Sequence, residues 1–246
     1  MNVPWVGPTE PLSQANVILF DLDGTLVDTL PDLVHALRQT LVGLGLSAVS
    51  DDLVRQSLHG GLEATARAAA RVLSLDESLA LTLAERYAEC YRDINGSYAR
   101  LYQGVDRLLS DLQLDAGVRL GVCTNKSAAE AQRLLRALGI DHFMQQVVGA
   151  DTCEARKPSP IPLQYAMSCL EGRPETTLMI GDSHVDAGAA RAAHVGFVHF
   201  RSGYGQVDPQ EFPVLGAFDH YDDLNREFGQ SRSASGPARL FVPKDR

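Results

Sequence analysis

Three acids stand within eight residues in VILFDLDGTLVDT, residues 17–29: Asp21, Asp23 and Asp28. Asp21 and Asp23 close an apolar run, Val17 to Phe20, with one residue between them. Carboxylates that near repel, and burying them without a partner is costly, so the segment calls for a cation. Later apolar runs end in matching chemistry: Thr124 to Ser127 (TNKS), and Asp182 and Asp186 in GDSHVD. Lys157 precedes a Pro-rich helix start in RKPSP. With no His or Cys among the candidates, the donors are hard oxygens, which favour Mg²⁺ over zinc. Asp21 and Asp182 then supply side-chain oxygens to Mg²⁺ and Asp23 its backbone carbonyl. Asp21 is the candidate nucleophile toward phosphorus. Asp23 points to the same face of an extended segment and acts first as general acid, then as general base. Thr124 and Asn125 form a phosphate cradle at a helix start, and Lys157 neutralises phosphoryl charge. Asp186, one helical turn beyond Asp182, orients Lys157 or a metal-bound water. Asp28 reads as a helix cap rather than a ligand.

Such a set needs elements that bring it together. Short β-rich runs recur at Asn16–Asp21, Val118–Thr124, Gln146–Gly149, Thr177–Asp182 and Gly196–Phe200. Helical patterns lie between the later ones, at Ala128–Leu138, Ile161–Leu170 and Val185–Ala193. Alternation of this kind predicts an α/β fold, a Rossmann-like parallel sheet flanked by helices, with right-handed crossovers. Ligands in such sheets bind outside the carboxyl ends of the strands, where the candidates fall. From residue 28 to about 100 the pattern is helical throughout: Asp32–Leu44, Asp51–Leu58, Leu62–Leu73 and Ser78–Tyr98. A helical block is thus inserted after the first strand. The expected organisation is a discontinuous core, 1–27 and 101–228, a helical unit at 28–100, and a flexible tail at 229–246. The N-terminal stretch reads as a Pro-containing, mobile arm.

Composition excludes several classes. Lys+Arg 22 against Asp+Glu 31 gives a net charge of −9, which argues against general nucleic-acid or membrane-surface binding. Cys90, Cys123, Cys153 and Cys169 are scattered without a CxxC, so zinc and a disulfide framework are not expected. Cys123 reads as a small buried hydrophobe. No apolar run reaches the length of a membrane span, and the opening residues lack signal-peptide regions. The expected setting is cytoplasmic, as a monomer or homodimer.

DLDGTLVDT, VCTNKS, RKPSP and IGDSHVDAGAARAA together resemble the four motifs of the haloacid dehalogenase-like hydrolase superfamily. The insertion after the first motif resembles the helical cap of its C1 class. Within that class TLVDTLPDL, GVCTNK and KPSP are most similar to bacterial phosphoglycolate phosphatases. The resemblance implies a mobile cap over the crevice, Mg²⁺ and an aspartyl-phosphate intermediate. It implies a phosphomonoesterase acting on a small phosphorylated metabolite such as 2-phosphoglycolate. A sugar-phosphate phosphomutase and a non-enzymatic phosphate-binding regulatory module are the alternatives on the same scaffold. Arg55, Gly60 and Gly61 are the cap candidates for specificity. The stretch RQSLHGG, residues 55–61, offers backbone N–H groups and the side chains of Arg55, Ser57 and His59 to a second anionic group. His194 stands where the family carries Gly, in a left-handed position that costs roughly 1 kcal/mol.

Overall fold

The computed structural model describes residues 6–8 and 10–235. Strand β1 (Val17–Phe20) is buried throughout. Its residues alternate between two cores: Ile18 and Phe20 pack on one face of the sheet, Val17 and Leu19 on the other. Such two-sided burial is what a continuous apolar run in a parallel sheet reflects. Beside it lie β4 (Arg119–Cys123) and β6 (Thr177–Gly181), both parallel to β1. With β5 (Gln146–Val148), β7 (Gly196–Phe200) and β8 (Gly216–Phe218) they form a six-stranded parallel sheet in the order β5-β4-β1-β6-β7-β8. The chain runs outward from β1 to β5, then crosses back to β6 on the other side of β1. This reversal puts the carboxyl ends of β1, β4 and β6 around one crevice.

The helices cover both faces. On the Ile18 side lie α1 (Glu10–Gln14), α6 (Val105–Gln113), α7 (Ala128–Ala137) and α10 (Tyr221–Ser235). On the other side lie α8 (Ile161–Cys169) and α9 (His184–Ala192). At the end of α9, His194 takes φ 58°, the left-handed conformation expected there.

Between β1 and the rest of the sheet comes the helical insert: α2 (Leu30–Gly43), α3 (Asp51–Ser57), α4 (Gly61–Val72) and α5 (Glu77–Ile94). It buries its own cluster, including Leu37, Leu83, Tyr87 and Tyr91. The chain leaves through β2 (Val27–Asp28) and returns through β3 (Arg100–Leu101), which pair antiparallel. Asp32, buried in the first turn of α2, clamps this junction: its carboxylate accepts from the N–H groups of Gly96, Tyr98 and Ala99 at 2.7, 2.6 and 3.1 Å.

Several expectations need correction. The last insert helix was expected to reach Tyr98 but ends at Ile94. Asn95 leaves helical geometry and Gly96 takes φ 93°, which frees the N–H groups that Asp32 binds. The tail was expected to loosen from residue 229, yet α10 continues to Ser235. Tyr221, Leu224 and Phe228 anchor that helix in the core, and Ser231 is buried with its hydroxyl on the Phe228 carbonyl. Residues 236–246 lie outside the described residues. Part of the N-terminal arm is docked: Val6 exchanges backbone hydrogen bonds with Ala217 on the edge strand β8, and Leu12 of α1 is fully buried. Residues 1–5 and 9 lie outside the described residues. No helix among the described residues is long and apolar enough to cross a membrane.

Candidate active site

Asp21 continues β1 by one residue, its N–H donating to the Ile180 carbonyl at 2.9 Å. The chain then turns at Gly24, φ 79°. A Cβ there would lie 2.6 Å from the Tyr204 ring and 2.7 Å from Asp182 Oδ2, so only glycine fits. Next comes Thr25, whose hydroxyl donates to Asp182 Oδ1 at 3.1 Å. The Asp-Gly-Thr run is thus the local device that lets the end of β6 approach the end of β1. Asp182 Oδ2 accepts from the Tyr204 and Gly205 N–H groups at 2.7 and 2.9 Å. Despite these donors, burial first and then Asp186 push its carboxyl up to about 6.

Lys157 reaches the same point from the loop before α8. Its Nζ lies 2.9 Å from Asp21 Oδ1 and donates to Asp186 Oδ1 and the Cys123 carbonyl, both at 2.6 Å. Each ammonium proton has an acceptor. Burial disfavours its charge, but Asp186 and Asp21 more than offset this and hold its pKa above the ordinary lysine value. Asp21, by contrast, is pushed up to about 8, by burial first and then by Asp186, against the pull of Lys157. Asp186 is committed on both oxygens: Oδ2 accepts from the N–H and hydroxyl of Ser183, closing a capping box at the start of α9. Cys123 is fully buried, its thiol pushed up to about 12 by burial, and it packs rather than reacts.

Asp23 is held by a different cation. Lys126 Nζ lies 3.0 Å from Asp23 Oδ1 and donates to the Tyr91 hydroxyl of α5 at 2.6 Å. Burial again disfavours the charge, and Asp23 and Tyr91 outweigh it, raising the lysine pKa. Two acids a residue apart therefore sit in two distinct electrostatic settings, one core-bound and one tied to the insert.

Thr124 and Asn125 stand just before α7. The cap of α7 is Ser127, not Thr124 or Asn125, and the Thr124 N–H is committed to the Val148 carbonyl. Thr124 and Asn125 both line the cavity. The Asn125 amide donates to the Lys157 carbonyl at 3.0 Å, while its Oδ1 is buried without a partner. Asp28 does not cap α2. Its Oδ1 accepts from the Tyr204 hydroxyl at 2.5 Å, and that hydroxyl in turn accepts from the Leu30 N–H at 2.9 Å. Arg55 does not line the cavity; its guanidinium lies 5.6 Å from the centre of the Tyr204 ring. Ser57 is turned away, its hydroxyl donating to the Leu53 carbonyl at 2.7 Å. The His59 side chain lies outside the described residues. Gly60 and Gly61 do line the cavity, which measures about 230 Å³ and runs between the strand ends and the insert.

Lys126, Tyr91, Thr25 and Tyr204 are participants that the sequence reading left without a role. The first two were legible only as a loop lysine and a packing tyrosine. Thr25 follows the Gly of the opening motif, and Tyr204 lies in a loop with no periodic signal.

The donor set can be tested for a cation. One oxygen each of Asp21, Asp182 and Asp186 lie within 4.8 Å of one another. Asp23 is outside the group by its side chain, and Asp21 and Asp182 carry raised pKa values that a cation would relieve. An all-oxygen set of this kind fits a hard divalent ion.

Sequence and structure comparisons agree with the geometry. The chain is 35% identical over 216 residues to a phosphoglycolate phosphatase of Mesorhizobium japonicum, covering 87% of this chain and 95% of that one. It is 35% identical over 219 residues to a phosphoglycolate phosphatase of Colwellia psychrerythraea, covering 87% and 96%. The crystal structure of a predicted phosphoglycolate phosphatase from Haemophilus somnus superposes with a TM-score of 0.79 at 29% identity, covering 87% of this chain and 97% of that one. The model of the haloacid dehalogenase-like hydrolase family matches residues 18–200, from inside β1 to the end of β7. That span contains every acid and lysine of the crevice, and the chain belongs to the haloacid dehalogenase-like hydrolase family.

Proposed function

We propose that this chain is a Mg²⁺-dependent phosphomonoesterase of a small phosphorylated metabolite, 2-phosphoglycolate or a near analogue, working through an aspartyl phosphate on Asp21. The carrying observation is the division of the two neighbouring acids: Lys157 grips Asp21 and Lys126 grips Asp23. Carboxylates in different settings can hold different roles in one reaction. The family and the relatives support a phosphatase, and the relatives named for phosphoglycolate motivate the substrate.

Asp21 attacks phosphorus with a carboxylate oxygen, and the bond to the ester oxygen breaks. Asp23 gives its proton to that leaving oxygen. The regenerated Asp23 carboxylate then takes a proton from water, whose oxygen attacks the aspartyl phosphate. The bond to Asp21 breaks and inorganic phosphate leaves. Lys157 holds Asp21 in place and offsets negative charge on the phosphoryl oxygens. Asp186 keeps Lys157 charged and oriented, and Thr124 and Asn125 hold the phosphoryl group. Mg²⁺, held by Asp21, Asp182 and the Asp23 backbone carbonyl, would supply charge neutralisation between nucleophile and phosphate. Residues 28–100 act as a cap that closes over the cavity and excludes water, with Gly60 and Gly61 on its inner rim.

The test is phosphate release from a panel of small esters with Mg²⁺ and after chelation. Release from 2-phosphoglycolate that stops on chelation and returns with Mg²⁺ is the expected result. Release unaffected by exhaustive chelation would remove the metal from the scheme, and no release from any ester would remove the phosphatase.

A further inference from the structure

The cavity extends beyond the phosphoryl end toward the first turn of α4, and one side chain there has no assigned role. Three cations line the cavity: Lys126, Arg156 and Lys157. Lys157 is saturated by Asp21, Asp186 and the Cys123 carbonyl. Lys126 is held by Asp23 and Tyr91, and its side chain is only 7% exposed. Arg156 is the one cation lining the cavity, among the described residues, that carries no ion pair.

Its position suits a second recognition point. The Arg156 carbonyl accepts from the Ser159 N–H at 3.0 Å, closing a turn next to Lys157. The backbone that carries Arg156 is thereby fixed relative to the lysine on the nucleophile. Arg156 is exposed and shares the cavity lining with Gly60 and Glu63 of the insert. Glu63 is paired with Arg67, and Glu130 accepts from the Ser127 hydroxyl at 2.6 Å. The insert's own candidates are committed: Arg55 lies over Tyr204, and Ser57 bonds to α3 and Thr65.

We propose that Arg156 is a specificity-determining residue that receives a carboxylate at the end of the substrate remote from the phosphate. It would favour phosphorylated acids over phosphate esters with neutral tails. The planar guanidinium offers two parallel N–H groups to a carboxylate, which a lysine cannot match. A cavity of about 230 Å³ suits a compact acid whose two anionic ends are engaged together. The proposal rests on the phosphatase reading above and deepens it.

The experiment compares kcat/KM for 2-phosphoglycolate and for its neutral counterpart, 2-hydroxyethyl phosphate, in the wild type, Arg156→Ala and Arg156→Lys, with Mg²⁺ present. Charged hydrogen bonds of this kind support a fall in the acid-to-neutral ratio of roughly 10- to 100-fold in Arg156→Ala, carried by KM. Arg156→Lys should recover part of it. A ratio within about threefold of the wild type in Arg156→Ala overturns the assignment while the phosphatase stands. A wild type that releases phosphate from neither ester overturns this inference, and the phosphatase reading falls with it only if every other ester of the panel is also inert.

Discussion

The two walls of the cavity are built on opposite plans. On the sheet side, Asp182, Asp186 and Lys157 are buried, and their charged atoms have partners at 2.6 to 3.1 Å. On the insert side, the wall is Leu33, Leu58, Gly60, Gly61, Leu62, Glu63 and Tyr91, and the Tyr91 hydroxyl on Lys126 is a tether to the acids. Fully satisfied polar networks fix one geometry, whereas a wall made mostly of leucine side chains and glycine backbone constrains mainly shape. The sheet side therefore holds the reacting groups in one geometry, and the insert side shapes the space left for the substrate.

That contrast can be broken most severely at Lys157. Lys157→Met leaves Asp21 and Asp186 buried without their cation, which costs about 3–5 kcal/mol. A denaturant titration of the metal-free protein should show that loss as a lower midpoint with an unchanged slope. A shift under about 1 kcal/mol would mean that the sheet-side network is not the rigid element it is taken to be.

Metal binding sharpens the same side. Asp21 is pushed up to about 8 and Asp182 to about 6 in the metal-free chain. These acids hold protons below those values, so a cation must displace them as pH falls. Mg²⁺ affinity should weaken from pH 8 to pH 6 by up to about tenfold per unit. Calorimetry in buffers of different ionisation enthalpy should show proton release on binding near neutral pH. Affinity independent of pH would contradict it.

The smallest effect is expected on the insert side. Arg55 is exposed and lies over the ring of Tyr204, a contact worth about 0.5–1 kcal/mol. Arg55→Ala should change kcat/KM by only about two- to fivefold with the thermal midpoint nearly constant. A loss comparable to that of Lys157→Met would erase the distinction between the walls.

How much of this was readable in advance follows the same divide. The strands read well because β1 alternates its side chains into two apolar faces, and the acids read well because they end those strands. The three-residue strand β8 offered too little pattern, although α6 carried a clear one in Val105, Leu108, Leu109 and Leu112. The end of α5 is fixed by Asp32, more than sixty residues earlier in the chain, which no local propensity records. Arg55 looked like a substrate ligand because a cation near two glycines suits an anion. Its preference for the Tyr204 ring depends on a loop 149 residues away in sequence. Lys126 lies within TNKS, yet its partner Tyr91 sits on a helix whose apolar periodicity explains it fully as packing.

The central claim is that Asp21 carries the phosphoryl group, and trapping that group tests it most directly. Asp23→Asn retains the nucleophile but lacks the base that frees it. This variant, mixed with p-nitrophenyl phosphate and Mg²⁺ and quenched in acid, should gain the mass of one phosphoryl group. Peptide mapping should place it on Asp21, and Asp21→Asn in the same background should gain none. Substrate turnover by the wild type with no adduct in Asp23→Asn, or an adduct on a residue other than Asp21, would contradict the account.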